Sequence, residues 1–141
     1  MKTLKLAALL SVGLAAPVLA EGDAAVGEEQ FIRQCVSCHV IANDAGEVLA
    51  GRSGRTGPNL FNLGGHVIGG VDGFRYGESI LAVNATGATW TEETLASYLL
   101  DPTEWLRTTL DDRRARSKMS FRVRSETDAA DISAYLLTFS E

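Results

Sequence analysis

Between Val40 and Thr89 the chain carries eleven glycines in fifty residues and no sustained apolar periodicity. Such a stretch reads as a long loop with a few short turns, and no strand pattern stands out there or elsewhere. Helical signals flank it. Asp23 can cap a helix predicted from Ala24 to Gln34, in which Val26, Phe31 and Ile32 come near one another at helical spacing. Thr91 precedes Glu92 and Glu93, whose charges suit a helix N-terminus, and Leu95, Tyr98 and Leu99 form the apolar stripe of a helix ending by Asp101. Asp101-Pro102-Thr103-Glu104 announces another helix, to about Leu110. Ser125 to Asp128 is a capping-box signature for a closing helix with Ile132, Tyr135, Leu136 and Phe139 on its apolar face. A single domain so poor in regular core is marginal unless a bulky internal group supplies the missing interior.

The motif Cys35-Val36-Ser37-Cys38-His39 names that group. It sets two thiols three residues apart on one side of a helical turn, with an imidazole directly after the second. The thiols can add to the two vinyl groups of a haem, and His39 then lies under the iron. A thioredoxin-like pair would need a βαβ context, whereas this pair follows a helix and precedes a glycine-rich loop. A disulfide across two residues would be strained and would leave His39 without a purpose. One covalent haem c is therefore the expected cofactor.

The first twenty residues support the same reading. Lys2 and Lys5, an apolar run from Leu6 to Ala16, and Pro17-Val18-Leu19-Ala20 form the three parts of a signal peptide, with cleavage expected after Ala20. The run is about half of the ~20 residues that a membrane span requires. An uncleaved anchor is the alternative. Residues 21–141 then form one exported domain, and in bacteria haem attachment takes place outside the cytoplasm. Loss of the two lysines lowers the basic count from 13 to 11 against 18 acids, a net charge of −7, which argues against a nucleic-acid partner.

An iron that carries electrons with little rearrangement needs a sixth ligand. Met119 is the only methionine beyond residue 20, and its surroundings, Arg116-Ser117-Lys118-Met119-Ser120, are polar and unlike a core stripe. A soft thioether favours ferrous iron and raises the potential. His66, in Leu63-Gly64-Gly65-His66, is the rival ligand.

From Asp23 to Phe139 the chain resembles class I cytochromes c, and among them the bacterial c2 type. The resemblance rests on Gly27 and Phe31 ahead of the cysteine motif, Thr56-Gly57-Pro58-Asn59-Leu60, Gly73-Phe74-Arg75-Tyr76, Trp90-Thr91-Glu92-Glu93, Tyr98, Pro102, Met119 and Ile132 to Tyr135, in the family's order. It implies an all-α fold of about four to five helices and long glycine-rich loops around one haem. By the same resemblance, Gly27 and Phe31 meet Ile132 and Tyr135 where the first and last helices cross. The Pro58 carbonyl accepts a hydrogen bond from His39. Tyr76 and Trp90 bond a buried haem propionate, Tyr98 lies near the Met119 sulfur, and Ser117 lies close to the other propionate. The implied function is that of a monomeric, non-enzymatic periplasmic carrier, with a quinol:cytochrome c oxidoreductase as donor and a photosynthetic reaction centre or terminal oxidase as acceptor. A peroxide-reducing enzyme or gas sensor would need Met119 off the iron and distal acid–base residues, which the sequence does not offer.

Departures from the family pattern are informative. His66 stands where the family often has an arginine near a propionate, which would make the potential pH-dependent. The stretch Gly77 to Ala88 is longer than in mitochondrial relatives, leaving open whether Asn84 is the family's pocket asparagine. Thr108 to Arg116 reads as an insertion ahead of the methionine, shared with the larger c2 cytochromes. Six basic residues and no acid fall between positions 113 and 124: Arg113, Arg114, Arg116, Lys118, Arg122 and Arg124. That concentration in an acidic domain gives a dipole suited to an acidic docking partner, with Arg33 and Arg55 as possible extensions and Phe121 as an apolar centre.

Overall fold

The computed structural model describes residues 21–141; the signal peptide and its cleavage site lie outside the described residues. Five helices and one short hairpin follow in order: α1 (Ala24–Gln34), β1 (Ile41–Ala42), β2 (Val48–Ala50), α2 (Glu78–Asn84), α3 (Glu92–Leu100), α4 (Pro102–Leu110) and α5 (Glu126–Leu137). Four of the helices begin where a capping side chain dictates. Asp23 accepts the amides of Ala25 and Val26, Thr91 that of Thr94, Asp101 that of Glu104, and Ser125 that of Asp128. The capping box at Thr91 is closed by Thr94, whose hydroxyl accepts the Thr91 amide at 2.9 Å.

Three features depart from the sequence reading. Helix α2 arises inside the glycine-rich middle, from an N-cap, Gly77, that makes no side-chain cap bond. The hairpin is antiparallel, pairing Ile41 with Ala50 and Ala42 with Val48 around an irregularity. Its outer edge is pinned by Asn59, which accepts from the Ala42 amide at 3.0 Å and donates to its carbonyl at 2.7 Å. On α1 the buried stripe is Gly27 and Phe31, leading on to Cys35, whereas Val26 and Ile32 are exposed.

Helix α5 packs against α1 and α3, and α4 against α2 and α3. The α1–α5 crossing is close enough that a Cβ on Gly27 would fall 1.9 Å from the Asp131 carbonyl oxygen and 2.8 Å from Tyr135 Cβ. Phe31 and Tyr135 then meet with ring centroids 5.6 Å apart. Ile132 is wholly buried in the same core. The buried Asp131 carboxylate accepts the Asp23 amide at 2.7 Å, so the start of α1 is registered on α5. Among the described residues no helix is long and apolar enough to cross a membrane.

Because the obstacle at Gly27 is backbone, Gly27→Ala is expected to cost about 1–3 kcal/mol, seen as a lower denaturant midpoint. Val26→Ala, on the exposed face of the same helix, should stay within about 0.5 kcal/mol of the parent.

Candidate functional site

Helix α1 runs straight into the cysteine motif. The Cys35 amide bonds the Phe31 carbonyl at 2.9 Å, and the Cys38 and His39 amides both turn back to the Cys35 carbonyl, at 3.1 and 2.9 Å. This helical turn buries Cys35 and leaves Cys38 exposed, with no disulfide between them. Burial, and secondarily the charge of Cys38, pushes the Cys35 thiol up to about 12. The segment after the hairpin folds beneath His39, with the Gly57 amide on the Cys38 carbonyl and the Leu60 amide on the Val40 carbonyl, both at 2.9 Å.

His39 Nδ1 lies 2.9 Å from the Pro58 carbonyl oxygen. A carbonyl only accepts, so the proton sits on Nδ1 and the Nε2 lone pair is left for a ligand-binding role. Burial lowers the His39 pKa from its ordinary value, against the opposing pull of the Pro58 carbonyl. A neutral imidazole results.

A cavity of about 280 Å³ is lined by Cys35, Cys38, His39, Pro58, Tyr76, Trp90, Tyr98, Ser117 and Met119. The sequence spreads these residues over 85 positions, and the fold brings all of them to one space. Trp90 packs edge-on to Tyr98 at 5.2 Å between centroids, and Tyr76 packs on Phe74 at 4.8 Å. The Tyr76 hydroxyl accepts the Val71 amide at 3.4 Å. The Tyr98 hydroxyl pairs with Ser117 Oγ at 3.1 Å, and this same oxygen accepts the Met119 amide at 3.1 Å. Burial raises the pKa of both tyrosines, so both stay neutral donors at physiological pH.

His66 does not line the cavity. It is exposed, and its carbonyl accepts the Trp90 amide at 3.0 Å. Asn84 turns away as well, donating to the Ile68 carbonyl at 2.9 Å, while Ile80 one turn earlier lines the wall. Of the basic cluster, Arg116 and Lys118 reach the cavity together with Phe121, which is 44% exposed. Arg122 is partnered by Asp101 at 3.0 Å, and the Lys118 ammonium donates to the Arg75 carbonyl at 2.7 Å. Sequence reasoning missed Ser79, Thr103 and Arg75, which bond the segment around Met119; a lone serine or threonine at a helix start reads first as a cap.

No family model matches the chain. The chain is 48% identical over 115 residues to the cytochrome c2 of Rhodovulum adriaticum, an alignment covering 82% of this chain and 90% of that protein. It is 45% identical over 126 residues to the cytochrome c-551 of Roseobacter denitrificans, covering 89% and 87%. The crystal structure of cytochrome c2 from Rhodobacter sphaeroides superimposes with a TM-score of 0.81 at 40% identity, covering 85% of this chain and 98% of that one. The fold and the cavity are those of a class I c-type cytochrome. Within that class the chain belongs to the c2-type cytochromes, electron carriers with one covalently bound haem c.

The residues present fit that group: two thiols, an imidazole with a free lone pair and a thioether all border one largely apolar cavity. The wall behind the imidazole has no slack. A Cβ on Gly57 would fall 2.2 Å from His39 Cε1 and 2.6 Å from Nδ1. Gly57→Ala should therefore displace the ring from Pro58, and the check is loss of the protected His39 Nδ1 proton from the NMR spectrum. A retained, unshifted signal would show that the loop yields instead.

Proposed function

We propose that the chain is a periplasmic one-electron shuttle, exported by a signal peptide cleaved after Ala20. Cys35 and Cys38 would hold its haem covalently, and His39 and Met119 would supply the two protein ligands of the iron. The observation that carries the reading is the single cavity shared by the cysteine motif and the only methionine of the domain. When bound, the haem supplies a reversible one-electron change at iron. The chain's own residues set the conditions for that change. The Pro58 carbonyl orients His39 and strengthens its donor nitrogen. The Tyr98–Ser117 pair holds the loop that presents Met119. Tyr76 and Trp90 line the cavity, and each carries one hydrogen-bond donor of the kind that can hold a propionate whose charge is otherwise costly to bury.

Electrons pass to and from an acidic partner that docks over Phe121, the carrier acting as a monomer. The donor is a quinol:cytochrome c oxidoreductase and the acceptor a photosynthetic reaction centre or terminal oxidase. The steering charges are Arg113, Arg114, Arg116 and Arg124 together with Lys118. Arg122 adds less, since Asp101 offsets it.

Replacing Cys35 and Cys38 together by alanine should remove acid-resistant haem from the purified protein and, with it, the helical circular dichroism signal. Covalent haem surviving in the double variant would refute the attachment. Arg113→Glu, Arg114→Glu and Arg116→Glu combined should slow oxidation by acceptor-containing membranes about tenfold or more at low salt. The two proteins should converge toward and above ~0.1 M salt, where screening acts within about 10 Å. An untouched low-salt rate would move docking to another face.

A further inference from the structure

The backbone from Arg116 to Arg122 makes no hydrogen bond to other backbone among the described residues. The buried residues on either side do: the Ala115 amide bonds the Asp112 carbonyl at 3.0 Å, and the Val123 amide bonds the Leu99 carbonyl at 2.9 Å. Between those anchors lies Met119. A loop of this kind carries the full entropic cost of order with none of the ladder that offsets it in a helix or sheet. Side chains from elsewhere replace the ladder. The Arg116 amide donates to Ser79 Oγ at 3.0 Å, and the next amide, Ser117, donates to Thr103 Oγ1 at 3.3 Å. Ser79 stands in the first turn of α2 and Thr103 in the first turn of α4, and neither lines the cavity.

We infer that Ser79 and Thr103 are positioning residues for the Met119 thioether, two latches from two helices that hold consecutive amides of the loop and so set how often it lifts. The inference rests on the reading of Met119 as an axial ligand. Two fixed points on adjacent residues restrain the loop's direction as well as its position. From Ser117 the restraint passes to Met119 through the Ser117 hydroxyl, which accepts the Met119 amide and is itself fixed by Tyr98. Local opening is governed by such few contacts rather than by the stability of the whole fold.

The test uses haem-loaded protein carrying Ser79→Ala, Thr103→Val or both, with Thr103→Ser as the conservative control. Imidazole titrated into the ferric protein competes with Met119, and its apparent affinity scales with the fraction of molecules whose loop is open. The net worth of one hydrogen bond corresponds to about a fivefold change in that fraction. Each single variant should bind imidazole about fivefold more tightly, the double variant more tightly than either, and Thr103→Ser like the parent. A purely structural role would lower the unfolding midpoint and leave imidazole affinity alone, and unchanged affinity in the double variant overturns the inference. Met119→Leu should abolish the methionine-to-iron charge-transfer band. A band that persists there places the ligand elsewhere and removes the basis for the latches too. Should a variant fail to fold, amide hydrogen exchange on the parent decides: the Arg116 and Ser117 amides are expected to exchange more slowly than those of Lys118 and Ser120. Equal rates for all four overturn the proposal.

Discussion

Where α1 crosses α5, the Asp131 carbonyl occupies the space that any side chain at residue 27 would need, and the Asp131 carboxylate holds the amide at the start of α1. The approach is possible only because residue 27 is glycine. From this contact the rest of the site follows geometrically. It buries Phe31, which sets the face on which Cys35 emerges one turn later, and the helical turn through Cys38 then places His39 above the Pro58 carbonyl. A loosened crossing would therefore disturb the imidazole and also shift Ile132 and Leu136, the α5 residues that line the cavity.

The parts of the fold that can be read from sequence are those whose cause is local. Asp23, Thr91, Asp101 and Ser125 announce four helices because each cap bonds an amide two or three residues away. Helix α2 lacks such a cap, and the strands of the hairpin are too short for alternation to register. The hairpin is pinned by Asn59, seventeen positions from Ala42, a relation no local pattern encodes. On α1 apolar spacing misleads: Val26 and Ile32 share the helix with Phe31, but the helix turns its glycine face inward because that face alone permits close approach.

The candidate site divides along the same line. The cysteine motif and the single methionine of the domain are legible because few residues of those types exist. The Tyr98–Ser117 pair and the bonds from Ser79 and Thr103 are not, since each joins a hydroxyl to a group at least fourteen positions away. The charge pattern is legible as a count and incomplete as a surface. Arg122 has its partner in Asp101, at the junction of α3 and α4, so part of the basic cluster braces the fold.

The bond between Asp23 and Asp131 joins positions 108 residues apart, which gives the fold an order in time. A chain that emerges N-terminus first presents Cys35 and Cys38 early and α5 last. Helix α1 therefore gains its packing partner only from the last residues of the domain. Burial of the α1 face that leads to Cys35 is thus bound to the part of the chain that comes last.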